Sequence, residues 1–225
     1  MRYSYAAMES DKYEIPLERV LFFSDAIVAI AITLLALELR LPIPEDQPLH
    51  YADLLKPWHL YVAFLLSFIN ISSFWNLHHR LFIYIKKMDD RLKLVNTCWL
   101  FFIVILPFTS SVLSDHLNDS AAVTFYTINV LLVAGCQRVL WAYAVNQNYV
   151  EATAINAEYM SRINLFLNLD LVNALIALIV SFFAPVTAFV LLFFKIPLML
   201  TGFIYIAAAR RWMAGKPASD SGQHD

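Results

Sequence analysis

Glycine is nearly absent from this sequence, with four residues in 225 where average usage is about 7%. That scarcity leaves no Gly-rich phosphate loop and no collagen-like repeat, and it points to helix rather than turn-rich sheet. Cysteine is scarcer still. Cys98 and Cys136 each sit inside an apolar run, and two isolated thiols supply neither a zinc spacing nor a disulfide framework. Charge is also thin, at 15% of residues with a net of −2, against about 25% charged in soluble domains. A nucleic-acid partner would need a basic field that this chain does not carry. No HExxH, nucleophile elbow or CxxC occurs, so the sequence offers no enzyme signature. Met1 to Glu18 is polar and carries Glu9, Asp11, Glu14 and Glu18. It lacks the basic and apolar regions of a signal peptide, so the first apolar run is expected to stay as a membrane span.

What the sequence has instead is apolar length: 60% of its residues are hydrophobic and its mean hydropathy is +0.61. A spanning helix needs about 20 mostly apolar residues. Six stretches qualify: Val20–Leu39, Trp58–Phe82, Leu94–Leu113, Ala121–Val145, Ile163–Ala184 and Val186–Ala209. The last two form a hairpin broken at Ala184-Pro185, because proline lacks an N–H and restricts the residue before it. The expected fold is all-α, a polytopic membrane protein of six transmembrane helices. A short N-terminal segment (1–18) precedes the spanning domain (19–212), and a polar tail (213–225) follows it. No sequence repeat links the two halves, and the two glycines within spans, Gly135 and Gly202, do not mark matching helix breaks of an inverted-repeat transporter.

Orientation follows from the basic residues. Arg2, Lys12 and Arg19 precede the first span, Arg80, Lys86, Lys87, Arg91 and Lys93 join the second to the third, and Arg210, Arg211 and Lys216 follow the sixth. The loops on the other side hold only Arg40 and Lys56. Both termini are therefore expected to be cytoplasmic, with the chain in the inner (plasma) membrane. Aromatic residues near the span ends, among them Trp58, Tyr61, Tyr84, Trp141 and Tyr149, suit interfacial anchoring.

Polar residues inside spans are costly in lipid and so mark candidate sites. The first span reads Arg19-Val-Leu-Phe-Phe23-Ser24-Asp25, followed by Ala-Ile-Val-Ala-Ile30-Ala-Ile-Thr33-Leu34-Leu-Ala-Leu37. At about 100° per residue, Ile30, Leu34 and Leu37 share a face that Phe23 and Arg19 extend, with Thr33 at its border. Asp25 lies roughly 140° from Ile30 on the same wheel, so the acid and the apolar stripe must meet different neighbours. At the depth of Ser24 and Asp25 the second span places Trp75, Asn76, His78 and His79, and the third places Asn96 and Thr97. His78 or His79 and Asn96 are the nearest partners for the carboxylate. Two uses fit: a polar clasp holding three spans together, or a proton relay through the same residues. His78 and His79 are adjacent and diverge by about 100°, which disfavours a shared metal. Lys195, mid-way along the sixth span, either pairs with Asp170 of the fifth or snorkels. Asn164, Asn168 and Asn173 read as helix–helix contacts.

The run Arg19-x-x-x-Phe23-Ser24-Asp25 with its Ala-Ile-Val-Ala-Ile-Ala-Ile-Thr continuation resembles the signature of the bacterial transmembrane protein 175 family. Trp75-Asn-Leu-His78-His79-Arg80 and Leu106-Pro107-Phe108-Thr109 are also similar to that family, and the resemblance covers roughly residues 17–212. It implies a potassium-permeable channel assembled as a homotetramer in the lipid bilayer, with the first helices lining a central pore. It implies constrictions made by the side chains of Ile30, Leu34 and Leu37, with the Thr33 hydroxyl beside the pore, potassium as the permeant ion and no cofactor. Arg19, Phe23, Ser24 and Asp25 would then be structural or gating residues, with partners among Trp75, His78, His79 and Asn96. The sequence has no TVGYG, and isolated span glycines cannot build a filter of backbone carbonyls. Apolar rings would gate by dewetting, with a modest preference for potassium over sodium. The alternative is a proton-coupled secondary transporter using Asp25 and His78.

Overall fold

In a computed structural model, residues 17–40, 48–151 and 157–195 are described, and all of their regular structure is helical. Helix α1 spans Leu17–Leu37, the short α2 Tyr51–Leu55, α3 Trp58–Tyr84, α4 Asp90–Asp115, α5 Ser120–Asn146, α6 Ala157–Ser181 and α7 Pro185–Leu192. Five of these, α1, α3, α4, α5 and α6, are long and apolar enough to cross a membrane. Their centres match the first five apolar stretches. Their ends extend further, because hydropathy measures lipid thickness while helical hydrogen bonding continues into polar caps. At the start of α4, for example, the Asp89 carboxylate accepts the backbone N–H of Leu92 at 2.8 Å.

The sixth stretch differs. Proline at the first position of α7 starts the helix where its missing N–H is harmless, but α7 stops after eight residues at Leu192. Phe193 and Phe194 turn back on Val190 and Leu191 through tight i→i−3 bonds of 3.1 and 3.0 Å, and Pro197 follows closely in sequence. The rest of the expected span Val186–Ala209, nearly all of the segment 1–18 and the tail 213–225 lie outside the described residues. The loop helix α2, too short for periodicity to reveal, is set by Asp53, which accepts from the His50 backbone at 3.1 Å and pairs with Lys56 at 2.6 Å.

Helix α4 lies at the centre, packed on α1, α3 and α5, with α6 beyond α5 and α7 against α6. Pro107 sits inside α4; it removes one backbone donor, and two residues on, the Thr109 hydroxyl bonds the Leu106 carbonyl at 3.1 Å. One apolar core joins Val28, Leu35, Phe74, Trp99, Ile103 and Tyr126. A second, at the end bearing the α3–α4 turn, joins Leu81, Ile85, Leu92, Trp141 and Leu167.

That end is also locked by backbone. Helix α5 terminates with Asn148 at φ 58°, while Tyr149 N–H reaches Ala144 at 2.9 Å and Asn148 N–H reaches Val145 at 3.1 Å. This is the left-handed helix stop that glycine usually supplies and asparagine tolerates. It turns the chain so that Val150 bridges Ile85 antiparallel, with Lys86 N–H to Tyr149 at 2.9 Å and Glu151 N–H to Tyr84 at 3.0 Å.

Candidate functional site

Helix α1 divides cleanly into two faces. Val20, Ser24, Val28, Ala31 and Leu35 are buried against the protomer's own helices, at spacings of four, four, three and four residues. The opposite face carries Ile30, Leu34 and Leu37, at 58%, 38% and 60% exposure, together with Phe23 at 59%, and Arg19 and Thr33 are exposed as well. The stripe that the helical wheel puts on one face thus turns away from the bundle and leaves these four bulky side chains exposed among the described residues. Thr33 donates its hydroxyl proton to the Ile30 carbonyl at 2.8 Å, so the group it presents outward is an acceptor oxygen.

Ser24 and Asp25 point to separate neighbours. Ser24 donates to the Val20 carbonyl at 2.8 Å and accepts from Asn96 Nδ2 at 3.0 Å. Asn96 Oδ1 in turn meets His78 Nε2 at 2.7 Å. With Nδ2 committed to Ser24, Oδ1 can only accept, so His78 carries its proton on Nε2. The imidazole is held flat against Trp99, with centroids 4.2 Å apart and planes at 13°, and lies 4.4 Å from the Phe82 ring. Ser24, Asn96 and His78 are all buried to 1% exposure. They form a sealed chain from α1 through α4 to α3.

Asp25 sits at the edge of this arrangement, half-buried. Its Oδ1 accepts from Trp75 Nε1 at 2.9 Å, and the exposed ring of His79 stacks on Trp75 at 5.9 Å. The sequence favours a histidine and Asn96 as the partners of Asp25, whereas the structure joins Asn96 to Ser24 and to His78 and gives Trp75 to the acid. The reason is helical geometry: Ser24 and Asp25 are adjacent and diverge by about 100°, so one enters the bundle and the other skirts it. His79, one residue from His78, is turned away from the buried chain for the same reason.

Other intramembrane polar groups also pair. Asp170 and Lys195 approach to 3.5 Å with side chains only 7% and 3% exposed, and Lys195 Nζ lies 3.1 Å from the centroid of the Phe74 ring. Gln137 donates to the Phe74 carbonyl at 3.0 Å. Ser67 links Ser110 at 2.7 Å and Tyr126 at 3.0 Å, and Asn70 donates to the same Tyr126 hydroxyl at 3.0 Å. This last knot was not anticipated as a unit. Its only signal in the sequence is hydroxyl and amide residues at mid-span, which says that partners exist without saying which.

Residues 19–107 match the family described as "Endosomal/lysosomal potassium channel TMEM175". Among similar chains, a potassium channel of Streptomyces collinus is 27% identical over 62% of this chain and 69% of its own length. A potassium channel of Chamaesiphon minutus is 35% identical over 56% of this chain and 64% of its own. The "Endosomal/lysosomal proton channel TMEM175" of Danio rerio is 24% identical over 88% of this chain, which spans 38% of that longer protein. The crystal structure of a lysosomal potassium-selective channel TMEM175 homolog from Chamaesiphon minutus superposes with a TM-score of 0.68, at 26% identity, over 80% of this chain and 93% of that one. The stretch that matches the family holds all but the first two residues of α1, its outward stripe and the polar partners described for Ser24 and Asp25. The chain is thus similar to the TMEM175 family, over residues 19–107 in the family match.

Proposed function

We propose that this protein is a potassium-permeable channel, a homotetramer in which four copies of α1 surround a central pore with passive flux. The observation that carries this reading is the division of α1: Val20, Ser24, Val28, Ala31 and Leu35 pack inward, while Ile30, Leu34 and Leu37 are exposed on the opposite face among the described residues. The bacterial relatives named potassium channels support the choice of ion. Four copies of Ile30 make one apolar ring, and Leu34 and Leu37 make further rings one and two turns along the axis. Such rings exclude water when narrow and conduct when the helices spread. Thr33 adds an acceptor oxygen between them. Selectivity then rests on radius and on the cost of stripping hydration, so the preference for potassium over sodium is modest. In this reading the chain lies in the plasma membrane with both termini cytoplasmic, an orientation supported by the basic residues of the α3–α4 turn. Arg19, Phe23, Ser24 and Asp25, with Trp75, His78, His79 and Asn96, act as the frame that holds the pore helix.

A proton-coupled transporter would need Asp25 and His78 to exchange a proton. Asp25 is bonded to Trp75 and His78 to Asn96, so no hydrogen bond among the described residues joins the two, and the relay reading has no supporting bond. The test is flux from liposomes loaded with potassium, with and without a proton ionophore. Passive, voltage-driven potassium flux is expected, and Ile30→Asn should wet the ring and increase sodium permeability. Flux that requires a proton gradient, or that ignores changes at Ile30, Leu34 and Leu37 alike, would overturn the assignment.

A further inference from the structure

Between Arg80 and Lys93 the chain carries five basic residues, Arg80, Lys86, Lys87, Arg91 and Lys93, against two acids, Asp89 and Asp90, a net of +3 in a protein whose overall charge is −2. The structure disposes of the members unequally. Arg80 bonds Asn76 at 3.2 Å and Lys86 lies 3.5 Å from Glu151. Lys87, Arg91 and Lys93 are exposed, and no acid among the described residues pairs with them. Asp89 is taken up by Leu92 N–H and by the Tyr143 hydroxyl at 2.6 Å. The turn is also fixed in space by the Ile85–Val150 bridge, so its cations are presented rather than averaged over a loose loop.

The face of α4 above this turn supplies the second observation. Leu94, Phe101 and Phe108 are 63%, 59% and 60% exposed, and Cys98 is exposed between the first two. Their spacing of seven residues, with Arg91 three before Leu94, puts the guanidinium at the foot of a continuous apolar stripe. From Leu94 to Val104 the helix rises about 15 Å, half of a hydrocarbon core of about 30 Å. An acyl chain of one leaflet would therefore lie along the stripe while its phosphate sits at the level of Lys87 and Arg91.

We infer that the α3–α4 turn and the outer face of α4 form a binding site for an anionic phospholipid, with Lys87 and Arg91 holding the headgroup phosphate and Leu94, Cys98 and Phe101 the acyl chain. Charge complementarity selects this occupant over a zwitterionic lipid: each basic residue near an anionic surface is worth about 1 kcal/mol, or about fivefold in affinity. The inference does not depend on ion conduction.

The test uses the full chain purified in a neutral detergent. Native mass spectrometry would titrate it with phosphatidylglycerol, with phosphatidylcholine of the same chain length, and with inorganic phosphate. Expected are preferential retention of phosphatidylglycerol, a loss of about fivefold for Lys87→Gln and again for Arg91→Gln, and little loss for Arg91→Lys. Arg162→Gln, which removes a basic residue already paired with Glu158 at 2.6 Å, should leave retention unchanged. Equal binding of both lipids would overturn the site, as would an equal effect of Arg162→Gln. Phosphate competing as well as the lipid would show a free-anion site instead. Variants that retain phosphatidylglycerol but dissociate the oligomer would show that a second copy covers this face. Variants that fail to fold are controlled by Arg91→Lys, which keeps the charge and must keep the lipid.

Discussion

Where α1 meets α3 and α4, Ser24, Asn96 and His78 are uncharged groups joined at 3.0 and 2.7 Å. Between α6 and the segment after α7, Asp170 and Lys195 are an acid and a base 3.5 Å apart, with the ammonium against the face of Phe74. Both join helices through buried polar side chains, yet they differ in what a disturbance does. A neutral chain can lose one link and leave groups that are merely unpaired, at about 1–3 kcal/mol each. An ion pair that loses a partner strands a charge, at about 3–5 kcal/mol. The gentler arrangement holds α1, the helix proposed to move when the pore opens. The harsher one holds the α6–α7 hairpin to α3, where nothing in the proposed function requires motion.

The largest effect that separates the two is Lys195→Met. It leaves Asp170 buried with no base, and it should lower stability by about 3–5 kcal/mol, read as loss of thermal stability in detergent. The double change Asp170→Leu with Lys195→Met removes both ends and should recover most of that loss. A single variant as mild as the double would show that the pair is wet, and the contrast with the α1 chain would collapse.

Asn96→Ala comes next. It unlinks both Ser24 and His78 and should cost about 2 kcal/mol, whereas Ser24→Ala should cost less, because Ser24 also bonds its own Val20 carbonyl. Trp75→Phe follows at about 1 kcal/mol, since the Asp25 contact it removes is half-exposed and water can replace part of it. If Asp25 and Trp75 merely decorate the surface, Trp75→Phe will leave potassium flux untouched; if they hold the pore helix in place, flux will shift more than stability does.

Much of this was legible in the sequence because lipid imposes a simple rule. Every backbone group must be bonded internally, so long apolar stretches can only be helices, and five of the six stretches stand as such. The outward stripe on α1 was also legible, since a single helix has one angular period. What the sequence withheld depends on how helices rotate against each other. Whether Ser24 or Asp25 receives Asn96 turns on about 100° of rotation, which no composition encodes. The early end of α7 was hidden for another reason: Phe193 and Phe194 read as ordinary span residues in hydropathy, while the tight turn they make is a matter of backbone geometry. The left-handed stop at Asn148 was equally hidden, because asparagine permits that conformation without demanding it.

The smallest expected effect lies outside the membrane, at Asp89, and it extends the comparison to a carboxylate that water can reach. Partial burial pushes its carboxyl up, but hydrogen bonds from Tyr143, from Leu92 N–H and from Tyr149 outweigh this and hold it below the usual range. A carboxyl whose folded value is depressed adds stability that is complete above its unfolded value of about 3.9 and is lost as pH falls through the folded value. Thermal stability of the wild type should therefore decline on the acid side of about pH 5 by more than in Asp89→Asn. At neutral pH Asp89→Asn should be slightly the less stable, because Oδ1 accepts Leu92 N–H and Oδ2 accepts the Tyr143 hydroxyl and an amide replaces one of these acceptors with a donor; near pH 4 the two should converge. Melting curves at pH 7 and near pH 4 decide the point. An acid limb identical in both proteins would show that the Asp89 bonds are as readily made to water, and that the rigidity of the α3–α4 turn comes from the Ile85–Val150 bridge alone.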